Sequence, residues 1–496
     1  MKKLLFLFII ASVLFSLLFL GCDAFMPPDI TESVPDINDY YTERKDVLAL
    51  KHLQVTSIDE DTLASYVMSF LNVNTATEGS RSVQPSPVVI TKSKEIIHEV
   101  ETGFAETTAD KRPERAVIGP GQIPFYVFTL ENQQTGQTGF ALTCGDNRIG
   151  AVLAVVENGR YDADIPQLGV FYSQLNDYIL NTIGVYNNIN EADIENALRK
   201  NEARASSTYI PITDVGSYRD FILVSSINDD SKNNEKYILE TKWSQGTPYN
   251  DYLNEKKILG NVFKGYNYKT GCGPVAIAQI MAFHGKPEKS VLLDSHVYDW
   301  AAMMEGTDNY SIGKLMYEIG LYAKTLFILG SDGSKDNDDK KDAAGATTRS
   351  GIKYGLVNLG YEDPGSFKSY NFEQVKSSIR EGYPVIADGS TTGTFLFGVT
   401  ISTPMGGHYW VIDGYRQMGT NVKRDKGSII DFETNDYVHC NMGWKDGHAN
   451  GWYISGVFNT KNIPYEDKNG TLPRSATEAG FYQYGLGILT GIRYIE

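Results

Sequence analysis

The stretch Lys269-Thr270-Gly271-Cys272-Gly273-Pro274-Val275-Ala276-Ile277-Ala278-Gln279-Ile280-Met281 constrains this chain more than any other. Its apolar spacing predicts a helix, and its glycines and proline fix where that helix starts. Glycine allows a sharp backbone turn, and Pro274 suits the first helical turn, where a missing N–H costs nothing. Cys272 is therefore presented at a helix N-terminus. The partial positive charge there lowers a thiol's pKa and favours the thiolate, the nucleophilic form. A nucleophile of this kind needs a base, a group that orients the base, and donors for a developing oxyanion.

The N-terminus carries its own signal. Lys2-Lys3 precede an uncharged, mostly apolar run from Leu4 to Leu20, followed by Gly21-Cys22. This reads as an export signal over residues 1–22. It resembles a bacterial lipoprotein signal, with Cys22 as the lipidated N-terminus, although Phe19 and Leu20 are bulky for that pattern. The alternative is an uncleaved signal anchor, since the run is barely long enough to span a bilayer. Residues 23–44, with Pro27-Pro28 and several acids, read as a disordered stalk. The expectation is an exported lipoprotein of the bacterial cell envelope, anchored to the membrane through Cys22 and released after processing.

The remaining length exceeds one core, so two folded units are expected. A net charge of −16 argues against nucleic acid as a partner. With Cys22 assigned to the tether, Cys144, Cys272 and Cys440 are too few for a disulfide framework, and one must stay unpaired.

Residues 45–205 read as an α+β unit. Lys45 to Asn72 has helical periodicity, Phe125–Leu130 and Thr138–Cys144 read as a hairpin, and Tyr172–Ile183 reads as a helix. Residues 206–235 end in a strongly polar stretch and read as an exposed linker open to processing. Residues 236–496 place helices first, around Cys272, Ile312–Leu329 and Gly351–Leu359, and strands later. That order suggests an α+β arrangement with the active site between two halves.

Five histidines in this last unit are candidate bases. His284 lies on the Cys272 helix about 18 Å from the thiol, too far to take its proton. His296 sits in a polar loop, and His448 in a turn. His408 follows Gly406-Gly407 and opens the strand Tyr409–Tyr415, a position that faces a cleft. In Val438–Trp444, read as another strand, His439 and Asn441 share one face and Cys440 points to the other. A metal site from His439, Asn441 and His448 lacks the usual ligand spacing, so no metal and no cofactor are expected. Gln245, upstream of the nucleophile, is the natural side-chain donor to an oxyanion hole.

Four segments taken together resemble the streptopain-like cysteine peptidases. They are Trp243-x-Gln245-x-x-Pro248-Tyr249-Asn250, Thr270–Met281, Gly407-His408-x-x-Val411-Ile412-Asp413-Gly414 and Asn441-x-Gly443-Trp444. The resemblance implies an α+β, papain-like catalytic domain with a helical lobe and an antiparallel β lobe. It also implies that residues 45–205 are an inhibitory propeptide domain, a match carried by Gly139–Leu153. Cys272 becomes the nucleophile, His408 the base, Gln245 the oxyanion donor and Asn441 the orienter of the imidazole. Trp444 shields that region, beside Gly407 in the substrate cleft. The implied protein is a cysteine endopeptidase made as a zymogen, with peptide or protein substrates and its own propeptide as intramolecular inhibitor.

Three departures stand out. Met442 occupies a position where the family has Trp, so Met442→Trp is expected to raise turnover. The Asp- and Lys-rich run within Gly330–Ala344 reads as a solvated insertion rather than a calcium loop. The segment Gly389–Met405 is long and is expected to wall the cleft. The competing readings are a catalytically weak lipoprotein that uses the same fold to bind host or envelope proteins, and a papain-like amidase acting on cell-wall peptide.

Overall fold

The computed structural model describes residues 45–52, 57–72, 87–99, 103–106, 122–161, 169–205, 221–226, 239, 241–256, 266–293, 295–328, 341–390, 394–396, 399–401, 407–422, 431–458 and 486–495. The expected signal and stalk and the Asp-rich run lie outside them. The described chain mixes helices with largely antiparallel sheet, the α+β class expected. It divides into two compact units. One holds Gln245–Ser369 with Ile492–Glu496, and the other holds Asp36–Ser244 with Tyr370–Gly491.

The first unit is mainly helical. The helix Cys272–His284 is buried from Gly273 to Ala282. An isolated helix of this length is marginal in water, so burial holds it. Each buried Val, Ile or Met contributes about 1.5–3 kcal/mol. Gly285 ends the helix in the left-handed region (φ 60°); its N–H donates to the Ala282 carbonyl and the Lys286 N–H to that of Met281. The helix packs against Asn309–Tyr322 and Arg349–Asn358. Asp308 and Thr348 cap those two helices through side-chain oxygens. The long helix expected at 312–329 thus stops at Tyr322, and Leu326–Ile328 is a strand instead. A small sheet joins Tyr266–Tyr268, Lys341–Ala346 and Leu326–Ile328.

The second unit is built on one antiparallel sheet. Gly487–Leu489, Val385–Ser390, Gly407–Val422, Asp431–Asn441 and Gly451–Ile454 pair in that order. Gly451–Ile454 then pairs with Val152–Val156, and the sheet runs on through Thr138–Cys144, Gln122–Asn132 and Val88–Glu99. At the join, a Cβ on Gly451 would lie 2.2 Å from the Val155 carbonyl oxygen, so only glycine lets the two backbones approach. One hydrophobic core serves both ends of the sheet: Phe70, Phe125 and Val155 share it with Trp410, Tyr437 and Trp452. The helix Glu60–Asn72 contributes Leu63, Val67 and Phe70, an apolar stripe at helical spacing.

Two further elements differ from expectation. Within 206–235, Phe221–Ser226 is a strand paired with Gly407–Val422. The strand expected at Val438–Trp444 ends at Asn441, and Met442–Trp444 leave the sheet. Of the long segment before His408, Thr394–Leu396 and Val399–Ile401 form a short hairpin.

Candidate active site

Cys272 is the first residue of its helix, behind Gly271 at φ 92°. A Cβ on Gly271 would lie 2.6 Å from the Gly345 carbonyl oxygen, and one on Gly345 would lie 2.8 Å from that of Thr270. Two backbones cross here with no room for a side chain on either, which fixes the thiol's seat. Cys272 is partly exposed, whereas Cys144 and Cys440 are fully buried, and no disulfide joins the three. Burial pushes the Cys144 and Cys440 thiols well up, so neither is a nucleophile at neutral pH.

Gln245 lies in the same unit. Its carbonyl accepts from the N–H of Thr270 at 3.0 Å, two residues before the thiol. Asn250 supplies a second tie: its buried amide donates to the Tyr268 carbonyl at 2.9 Å. The Gln245 loop is therefore fastened at two points to the strand that leads into Cys272. Trp243 is packed at 2 % exposure, as expected for a side chain that fills space.

The second unit holds the remaining candidates. His408 is the second residue of Gly407–Val422, with exposed Gly407 paired across to Ser390. Its Nε2 lies 2.8 Å from the Met442 carbonyl oxygen. A carbonyl only accepts, so in the neutral ring Nε2 carries the hydrogen and Nδ1 keeps its lone pair. Burial pushes the His408 pKa down to about 4 against the upward pull of this bond, so the ring is neutral at pH 7. The Trp444 indole stacks on the ring with centroids 5.2 Å apart at 25°, and Trp410 lies parallel at 6.2 Å.

Asn441, expected to orient the ring, donates from its amide to the Thr241 carbonyl at 2.8 Å and accepts from the Gly443 N–H at 3.2 Å. In the full-length chain the ring's bond thus goes to the carbonyl of the next residue, Met442. Met442 itself is buried in the core at 4 % exposure. The shield that its replacement of tryptophan put in question is supplied by Trp444.

Three other histidines are engaged elsewhere. His284 bonds the Ile492 carbonyl at 3.1 Å, and His296 bonds the Ser311 hydroxyl at 2.7 Å. His439 faces Asp413, with Nδ1 and Oδ1 2.6 Å apart, and its Nε2 lies 3.5 Å from Glu157. Asp413 is the extra residue of a β-bulge between Ile412 and Gly414, which turns its carboxylate toward His439. Burial alone would lower the His439 pKa; Asp413 and Glu157 outweigh it and hold it at about 10. Arg416, also buried, sits over Trp452 and donates to the Phe70 carbonyl at 3.0 Å. Among the described residues, no group of three or more His, Cys, Asp or Glu side chains is placed to hold a metal ion.

A family model, that of the Peptidase C10 family, matches residues 243–453, a span that holds Gln245, Cys272, His408, Asn441 and Trp444. The match of this segment to the Peptidase C10 family supports cysteine-type endopeptidase activity. No curated protein matches the chain. A solved fragment of prointerpain A from Prevotella intermedia is similar over 75 % of this chain and 96 % of that one, at 18 % identity and a TM-score of 0.39.

Sequence reasoning missed several groups in the C10 segment. The Met442 carbonyl carries no sequence signal, because every residue has one. Asp413 had one: an acid inside the apolar run Val411–Tyr415 marks a buried ion pair. Asn250 stood in the quoted motif without a role.

Proposed function

We propose that the chain is an exported, membrane-tethered cysteine endopeptidase made as a zymogen. The carrying observation is the pair of seats within the C10 segment: a thiol at the first residue of a buried helix, and a histidine whose Nε2 is committed to a carbonyl. The tautomer so fixed supports Nδ1 as the base.

In this reading the Cys272 thiol gives its proton to Nδ1 of His408. The thiolate attacks the scissile carbonyl carbon, and the oxyanion is held by the Gln245 amide and the Cys272 N–H. The imidazolium protonates the leaving amine, the C–N bond breaks, and a thioester remains. His408 then takes a proton from water, whose oxygen displaces the sulfur and releases the carboxylic acid. Trp444 and Asn441 keep the imidazole region ordered. A ring held neutral near pH 7 fits a precursor at rest, since a thiolate partner would raise its pKa.

Residues 45–205 act as the propeptide. Their strand Val152–Val156 extends the sheet that carries His408 and Asn441, which supports an inhibitor bound within the same chain. Cleavage falls within 206–235. Lipidation at Cys22 tethers the precursor to the bacterial envelope, and processing downstream frees the enzyme.

The test is labelling of the full-length chain with a thiol-directed epoxide during self-processing, beside Cys272→Ala. A Cys272-dependent adduct and a mass loss matching a cut within 206–235 are expected. A chain that processes and labels equally well without Cys272 overturns the mechanism. A folded chain that never labels nor cleaves peptide indicates the binding lipoprotein. Radiolabelled palmitate incorporation that survives Cys22→Ser would remove the tether.

A further inference from the structure

His408 owes its orientation to the carbonyl of one residue, and that residue needs its own support. The Met442 carbonyl takes the Nε2 hydrogen at 2.8 Å, and the N–H of the same residue donates to the Asn450 side-chain oxygen at 2.8 Å. Asn450 is buried and follows the turn Trp444–Ala449. Its own N–H donates to the Gly447 carbonyl at 3.1 Å, so the side chain is aimed by a closed turn. We infer that Asn450 is a positioning residue for the peptidase reaction, clamping the Met442 residue that orients His408.

The surrounding turn shows how tightly this clamp is held. Asp446 and Ala449 both adopt left-handed backbone, φ 60° and 63°. Such conformations persist in non-glycine residues only where neighbours enforce them. Asn158 engages both: its amide donates to the Asp446 carbonyl at 2.6 Å, and its carbonyl accepts from the Ala449 N–H at 3.0 Å. The N–H of Glu157 donates to the Asn450 carbonyl at 2.9 Å. Asn450 thus stands at the end of a hydrogen-bonded route from the 157–158 segment through Met442 to the ring. Without its side-chain oxygen, the buried Met442 N–H loses its acceptor, and Met442 is held only from its other side, where the Gly443 N–H donates to the Asn441 side-chain oxygen at 3.2 Å.

The inference rests on His408 being the base. Two variants separate the roles: Asn450→Ala removes the acceptor, and Asn450→Asp keeps an oxygen in its place. In the full-length Cys272→Ala chain, the ¹⁵N signals of the His408 ring, assigned with His408→Gln, should show the Nε2–H tautomer at pH 7. Asn450→Ala should mix in the Nδ1–H tautomer, and Asn450→Asp should not. In the self-processed active chain, Asn450→Ala should lower kcat about 10- to 100-fold with KM within about 2-fold, as expected of a misdirected catalytic group. Asn450→Asp should recover most of that loss. A folded Asn450→Ala enzyme with unchanged tautomer and kcat overturns the inference. If Asn450→Ala does not fold, an Nδ1–H tautomer in the unsubstituted ring, or an Asn450→Asp enzyme as slow as His408→Ala, overturns it equally. Full activity in His408→Ala would instead sink the base assignment itself, whatever Asn450 does.

Discussion

Cys272 and His408 are seated by different means. The thiol is fixed by backbone: a glycine crossing at Gly271 and Gly345 and the start of a buried helix. The imidazole is fixed by groups drawn from distant stretches of chain, namely the Met442 carbonyl, two tryptophans and a turn braced by Asn158. A seat made of backbone tolerates little local change but depends on few partners. A seat made of borrowed groups can be loosened from far away. In the zymogen proposed above, the second kind is the natural point of control.

The largest effect that would sharpen this contrast lies farther along the His408 strand. Asp413→Asn leaves protonated His439 facing only half-exposed Glu157, with Arg416 and Lys242 the nearby cations. A loss of about 3–5 kcal/mol is expected, read by denaturant unfolding of the Cys272→Ala chain at pH 7. The pH dependence has a definite sign. His439 is raised from 6.5 to about 10, so its stabilisation is complete below pH 6.5 and is lost as pH rises toward 10. Asp413→Asn should flatten that alkaline decline; an unaltered slope would break the assignment.

Gln245→Ala comes next, at the thiol's side. Removing one oxyanion donor should lower kcat about 10²- to 10³-fold, leaving Cys272 alkylation by iodoacetamide unchanged. A lost alkylation rate would mean that the loop supports the seat rather than the oxyanion.

Gly271→Ala then tests the backbone crossing. A side chain at φ 92°, 2.6 Å from a carbonyl oxygen, should cost about 3 kcal/mol of stability. A neutral result in urea unfolding would show that the seat is softer than described.

Met442→Trp should have the smallest effect. The larger side chain overpacks a buried position and should cost about 1 kcal/mol or more, and turnover should not rise, because Trp444 already covers the ring. A rise in kcat would restore the reading of Met442 as a catalytic deficit.

How far the sequence could be read follows the same division. The Cys272 helix was legible because its causes sit within a dozen residues: glycine, proline and an unbroken apolar run. His408 was legible by its place at a strand mouth, yet its support was not. Carbonyls and N–H groups are common to all residues, so nothing in the letters distinguishes Met442 or Asn450 as a clamp. The bulge at Asp413 shifts strand alternation by one, which a two-residue period cannot anticipate. Phe221-Ile222-Leu223-Val224 did carry a strand signal, masked by the polar residues that follow it. The helix 309–322 ended early because Lys324 turns into left-handed backbone before a new strand, and apolar spacing alone does not mark that stop.

The pairing of Gly451–Ile454 with Val152–Val156 also separates two events that are easily treated as one. Severing the chain between the segments breaks a covalent bond and none of these ladder contacts. On the proposed reading, the cut precursor keeps its guest strand until something peels it away. Once it goes, the row of amides and carbonyls along Gly451–Ile454 is left open, a raw margin on which another extended peptide could settle in its place.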